Sequence, residues 1–204
     1  MVILLLSGNP PAFFHQIIHF DHWLFEKINQ EWINPVFDLV FTFMRQAELW
    51  IPFYLFLLVL ALVNFAKKAL WWSGSLIMTA IISDLCSSTI IKNTIFRLRP
   101  CRNPELADQI RVLVNYCPQS SSFTSSHACN HFAIAFFIFI TLNQTGSWRW
   151  LLFLWALMIS YGQVYVGVHF PLDVLGGILV GSTIGYLMSR FFRMQFGTIS
   201  LKQG

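Results

Sequence analysis

Lys92, Arg99, Ser125, Ser126, His127, His169 and Asp173 are the residues whose types and spacing suit chemistry, and each lies at the mouth of an otherwise apolar segment. Lys92 and Arg99 stand seven residues apart, and on a continuing helix, ended by Pro100, they share a face. Two fixed cations clamp the non-bridging oxygens of a phosphoryl group, an arginine bidentately. The pair alone also fits side chains snorkelling to lipid head groups. Ser125 and Ser126 precede a helical run, where a serine caps the helix and free backbone N–H groups bind anions. His127 falls in the first turn. His169 and Asp173 lie four apart across a helix start, with Pro171 suited to its first turn. A carboxylate at that spacing accepts a hydrogen bond from the imidazole and leaves the other nitrogen more nucleophilic. Each group alone also reads as a cap or a structural histidine. Placed together at one membrane edge, they describe a phosphate site that needs no metal. One histidine attacks phosphorus, the other protonates the leaving oxygen, and cations and amides hold the charge.

The elements that must position these residues are apolar helices. Of 204 residues, 56% are hydrophobic and 11% charged, against roughly 25% charged in a soluble domain. The composition indicates an integral membrane protein of one domain, all-α. A net charge of +4 fits anionic head groups or phosphate-bearing substrates and gives no reason to expect nucleic acid. The opening MVILLLSGNPPA lacks a basic region and is not read as a cleaved signal. Spans are expected over 51–66, 70–91, 127–142, 148–166 and 170–192. Within 1–48, Phe20, Trp23, Leu24 and Ile28 recur at helical spacing opposite Asp21, His22, Glu26 and Lys27, which predicts an amphipathic interfacial helix. The stretch 33–44 is short and holds Asp38; joined to its neighbours it makes a sixth span. The catalytic bundle occupies 49–193 and a cytoplasmic tail 194–204. Alternating spans bring Lys92, His127 and His169 to one side and Lys67, Lys68, Arg149, Arg190, Arg193 and Lys202 to the other. The positive-inside rule makes the second side cytoplasmic, so the site faces the periplasm or exterior of a cytoplasmic membrane. Arg97, Arg99, Arg102 and Arg111 in the outer loop are counted as site or loop residues.

That loop, 100–124, is long enough to be functional. Its Cys101 and Cys117 are expected to form a disulfide in an oxidising compartment, while Cys86 and Cys129 read as packing residues. His127 and His131 share a helix face, but Cys129 lies on another, which argues against zinc; His131 faces the cavity or a neighbouring helix. Asp84, Ser88 and Lys92 form an i, i+4, i+8 stripe, and a carboxylate inside a span is a functional candidate; pairing with Lys92 or Arg97 would orient the clamp. Gly177, Gly181 and Gly185 permit close helix contact, within the chain in preference to a dimer.

Lys92, six residues, Arg99-Pro100; Ser126-His127; and His169, three residues, Asp173 together resemble the type 2 phosphatidic acid phosphatase (PAP2) family in order, spacing and membrane context over 92–177. The resemblance implies a polytopic bundle of about six spans and cofactor-free lipid phosphatase activity. It implies His169 as the nucleophile forming a phosphohistidine, Asp173 as its partner and His127 as general acid, with Lys92, Arg99 and the Ser126 backbone holding phosphate. The substrates implied are undecaprenyl diphosphate, phosphatidylglycerol phosphate or lipid A phosphates, met as a monomer or weak homodimer. Ser125 stands where the family's second motif has its serine and Ser126 where it has glycine. Gln163 replaces the arginine six residues before the nucleophile; it can hydrogen-bond phosphate but brings no charge unless Arg97 or Arg102 substitutes. A lipid phosphotransferase and a silent head-group binder or transporter remain as alternatives.

Overall fold

The computed structural model describes residues 12–106, 109–143 and 146–199. The opening 1–11 and Lys202 lie outside the described residues. Every regular element among them is helical: α1 (Ala12–Glu26), α2 (Pro35–Met44), α3 (Ile51–Asn64), α4 (Ala69–Asp84), α5 (Lys92–Thr94), α6 (Ser126–Thr141), α7 (Trp150–Tyr165) and α8 (Pro171–Phe196). Local chemistry sets several starts. The Asn34 side chain accepts from the Val36 amide at 2.7 Å ahead of Pro35, and Pro171 opens α8, where a missing N–H leaves nothing unsatisfied.

By length and composition three helical stretches can cross a membrane among the described residues: Ala47–Asn64, Ala66–Thr94 and Pro171–Phe196. Two more expected spans correspond to α6 and α7, of 16 residues each. Sixteen residues rise about 24 Å, short of a hydrocarbon core about 30 Å thick. α6 is buried on nearly every side, through Ala128, Phe132, Ala135 and Ile138, so it serves as the central post of the bundle.

α6 and α8 touch along the predicted glycine row. A Cβ on Gly177 would sit 2.5 Å from the Ser125 carbonyl oxygen, on Gly181 2.1 Å from that of Cys129, and on Gly185 2.3 Å from that of Ala133. Only hydrogen permits this approach, and the row is spent within the chain. The Ser125 amide donates to the Asp173 carbonyl at 3.0 Å, which locks the two helix starts that carry His127 and Asp173 to one end.

α1 departs from its sequence expectation at Asp21. Phe20 and Trp23 are 56% and 42% exposed, whereas Asp21 is 1% exposed and Phe25 fully buried. The helix turns Asp21 inward because a guanidinium waits there, as described next, with Phe25 packed on the same side and Phe20 and Trp23 outward.

Candidate active site

His169 and Asp173 flank the start of α8. The connection from α7 turns at Gly167 with φ +85°, and a Cβ there would meet the Arg111 carbonyl oxygen at 2.5 Å; glycine alone satisfies both demands. His169 then lies 2% exposed, its amide donating to the Gln163 carbonyl at 3.2 Å.

Asp173 is enclosed. Its Oδ2 accepts from the Phe170 amide at 2.8 Å and from Ser122 Oγ at 2.5 Å, and its Oδ1 accepts from Arg97 at 2.7 Å. The carboxylate caps its own helix and faces the histidine at once. His169 Nδ1 is 3.7 Å from Asp173 Oδ2, beyond a hydrogen bond, and 3.4 Å from Ser122 Oγ. Ser122 thus stands between the two residues that spacing alone would pair directly.

Arg99, 4% exposed, places Nη1 2.9 Å from His169 Nε2. A guanidinium only donates, so Nε2 is the acceptor and Nδ1 carries the proton, toward Ser122 and Asp173. Carbonyls of Val168, Ser120 and Ser121 and the Ser120 hydroxyl hold the rest of the Arg99 fork. Burial depresses the His169 pKa to about 4 and the Arg99 pKa to about 10. At neutral pH the imidazole is uncharged with a lone pair on Nε2, and the guanidinium beside it is charged. For Arg97, burial acts downward, but Asp173 and Asp21 outweigh it and the shift is upward.

Lys92 Nζ donates to Ser126 Oγ at 2.9 Å, and its charge interacts with Arg99 and Asp173. Lys92 and Arg99 do not share a helix face, because α5 ends at Thr94 and Ile95 is extended. Pro100 forces Arg99 extended, at φ −75° and ψ 152°. The 95–99 segment instead pairs with the serine run: the Ser122 amide donates to the Arg97 carbonyl at 2.8 Å and the Arg97 amide to Ser121 Oγ at 3.0 Å. Ser125 Oγ caps α6 through the Ala128 amide at 3.4 Å. His127 lines a cavity of about 610 Å³ together with Ser126, Asn130, His131 and Asp84. The His131 Nδ1–H donates to the His127 carbonyl at 2.7 Å, and its ring meets Trp155 edge-on at 4.8 Å.

One expected pairing is not made. Asp84 pairs with neither Lys92 nor Arg97; its Oδ1 accepts from Ser88 and Asn130, each at 3.0 Å, because Arg97 is taken by carboxylates. Gln163 is fully buried, its Nε2 bonds the Ile159 carbonyl of its own helix at 3.3 Å, and its Oε1 has no partner among the described residues. Arg102 donates to the Gln119 carbonyl at 2.8 Å, and Arg97 is engaged by Asp21 and Asp173. Cys101 and Cys117 are bonded, with Cα atoms 6.0 Å apart.

Sequence reading missed Ser122 and Asp21. Arg97 bridges Asp173 and Asp21, and Asp21 also accepts from the Leu172 amide at 2.8 Å. The signal for Ser122 was a serine run before the motif; for Asp21, an acid in a helix with apolar residues on several sides.

A family model described as the PAP2 superfamily matches residues 48–196. The chain is 30% identical to a lipid A 4'-phosphatase of Bacteroides thetaiotaomicron over 76% of its own length and 69% of that protein. It is 30% identical to an undecaprenyl-diphosphatase of Sulfolobus acidocaldarius over 84% of its length and 78% of the relative. The crystal structure of a transmembrane PAP2 type phosphatidylglycerolphosphate phosphatase from Bacillus subtilis shares its fold. The TM-score is 0.64 with 20% identity, covering 95% of this chain and 90% of that one.

Proposed function

This chain belongs to the PAP2 superfamily and is a lipid phosphatase, and on that premise we propose that His169 removes the phosphate through a phosphohistidine. The observation that carries the reading is the buried imidazole whose Nε2 lies 2.9 Å from Nη1 of the Arg99 guanidinium. A phosphoryl group entering beside Arg99 meets that lone pair, and an N–P bond forms as the P–O bond to the lipid breaks. His127 gives its proton to the departing oxygen; water then attacks phosphorus as it passes a proton back to His127, the N–P bond breaks, and inorganic phosphate leaves with both histidines restored. Asp173, held by Arg97, Ser122 and its own helix start, stabilises the proton on Nδ1. Lys92, Arg99 and the start of α6 hold the phosphoryl oxygens.

The cavity supports a membrane lipid as substrate. From His127 it runs down between α3, α4 and α6 past Ile51, Leu55, Leu58, Leu76 and Ile77, a wall suited to hydrocarbon. Asp84 and Asn130 lie one turn below Ser126, about 6 Å along α6, where the alcohol part of the lipid would sit. The phosphomonoesters of lipid A or phosphatidylglycerol and undecaprenyl diphosphate all fit this description. The enzyme sits in the cytoplasmic membrane with five to six spans, as a monomer or weak homodimer. The site faces outward and the C-terminus is cytoplasmic. Lys68, which donates to the Thr198 carbonyl at 2.9 Å, and Arg149, which donates to the Phe139 carbonyl at 2.6 Å near the far end of α6, support that orientation.

Phosphate release from these lipids in detergent with EDTA, parent against His169→Ala, tests the reading. Release by the parent alone, resistant to chelator, is expected. Equal release from both proteins removes His169 as nucleophile, and no release from any lipid favours the silent head-group binder that uncharged Gln163 would suit.

A further inference from the structure

Arg45 follows α2 directly, ahead of the turn that leads into α3. Its Nε is buried and has no hydrogen-bond partner among the described residues, and it forms no ion pair there. Arg45 is half-buried, so this Nε is shielded from water without an acceptor while the rest of the guanidinium stays accessible, and an arriving anion would supply the missing acceptor. Arg45 lies close to the site. Its charge is near enough to act on the Arg99 guanidinium and on the His127 ring. Ala47, two residues on, lines the cavity that Ser126 and His127 share.

The other cations near the site already have occupations. Arg97 spans Asp21 and Asp173, and Arg102 holds a loop carbonyl. Lys92 rests on the Ser126 hydroxyl and Arg99 is forked among carbonyls, hydroxyl and imidazole. A phosphoryl group presents three non-bridging oxygens, and Gln163, folded back on its helix, adds no charge for any of them. We propose that Arg45 is a third phosphate-binding cation of this site, donating to a non-bridging oxygen in place of the charge that position 163 lacks. The proposal rests on the phosphatase reading of the same site.

Direct calorimetric binding of inorganic phosphate to the detergent-solubilised parent, Arg45→Gln and Arg45→Lys tests it without turnover, with thermal unfolding reporting the fold of each. Loss of one charge-assisted hydrogen bond predicts that Arg45→Gln weakens phosphate binding roughly ten- to a hundredfold. Arg45→Lys, which keeps the charge and loses the fork, falls between. Arg45→Gln binding phosphate within twofold of the parent overturns the proposal, as does Arg45→Lys binding as weakly as Arg45→Gln. Should Arg45→Gln not fold, Arg45→Lys decides: unchanged affinity overturns the assignment and weakened affinity upholds it. A parent that binds phosphate through Arg45 yet releases none from lipid leaves the anion site standing and removes the enzyme. A parent that hydrolyses lipid and is indifferent to Arg45 does the reverse.

Discussion

Replacing Gly181 by alanine separates the two helices on which the reacting groups are mounted. The new Cβ would lie 2.1 Å from the Cys129 carbonyl oxygen and 2.8 and 2.9 Å from its C and Cα. All three are backbone atoms of the central helix, so no side-chain rotation relieves the clash. Reaching an ordinary contact of 3.4 Å requires a movement of about 1.3 Å. Overpacking of this kind costs about 1–3 kcal/mol, offset by about 0.5–1 kcal/mol for replacing a helical glycine. A net loss of up to about 2.5 kcal/mol follows. The starts of α6 and α8 carry His127 and Asp173, and a misplacement of about 1 Å can cost on the order of a hundredfold in rate. Gly74→Ala is the matched control, because nothing lies within 4 Å of its Cβ. It should gain stability by about 0.5–1 kcal/mol and leave turnover unchanged. Thermal unfolding in detergent and phosphate release measure both. Gly181→Ala with parental stability and parental turnover would refute the reasoning, since the α6–α8 contact would then be compliant and not the ruler of the site.

Stability should respond to pH through His169. Its pKa is 6.5 when unfolded and about 4 in place, so the unfolded chain binds more protons between those values. The contribution is complete above pH 6.5 and is lost as pH falls toward 4. Unfolding midpoints over that range should drop more steeply for the parent than for His169→Gln; parallel slopes count against the buried neutral imidazole. Asp21→Asn removes a charge-assisted contact to Arg97 worth about 1.5–3 kcal/mol while keeping an acceptor for Leu172. Turnover should fall with little change in KM, because Asp21 acts through Arg97 and Asp173; a pure KM effect contradicts this. Thiol labelling of denatured protein should find Cys86 and Cys129 without reductant and all four cysteines with it. Four labelled thiols in both conditions exclude the Cys101–Cys117 bond, whose short loop should contribute about 3 kcal/mol.

The residues placed by periodic helices were legible before any coordinates. Ser126, His127, His169 and Asp173 sit at helix starts that hydrophobic periodicity marks, and the glycine row announces the contact that aligns them. The clamp geometry was not legible. Heptad spacing between Lys92 and Arg99 suggested one helix face, but Pro100 and the serine run pull 95–99 into an extended pairing with 121–122. That pairing is non-local and leaves no periodic trace. For the same reason Ser122 was invisible between His169 and Asp173. Asp21 was assigned outward by amphipathic logic, which assumes that water is the best partner for a carboxylate; a buried guanidinium proved the better one. Gln163 stands out in the sequence as an uncharged residue, but that its amide folds back on the Ile159 carbonyl is set by tertiary packing alone.

The walls of the 610 Å³ cavity come largely from α3 and α4, while the two imidazoles and Asp173 belong to α6, α8 and the turn before it. On the proposed reading, recognition of the hydrocarbon and breaking of the ester are therefore written on separate pieces of the polypeptide. Bulk added or trimmed at Leu55, Leu58, Leu76 or Ile77 can refit the groove to thicker or slimmer anchors without disturbing the reacting centre. Divergence among homologous enzymes in which lipid they accept should accumulate on those two helices first.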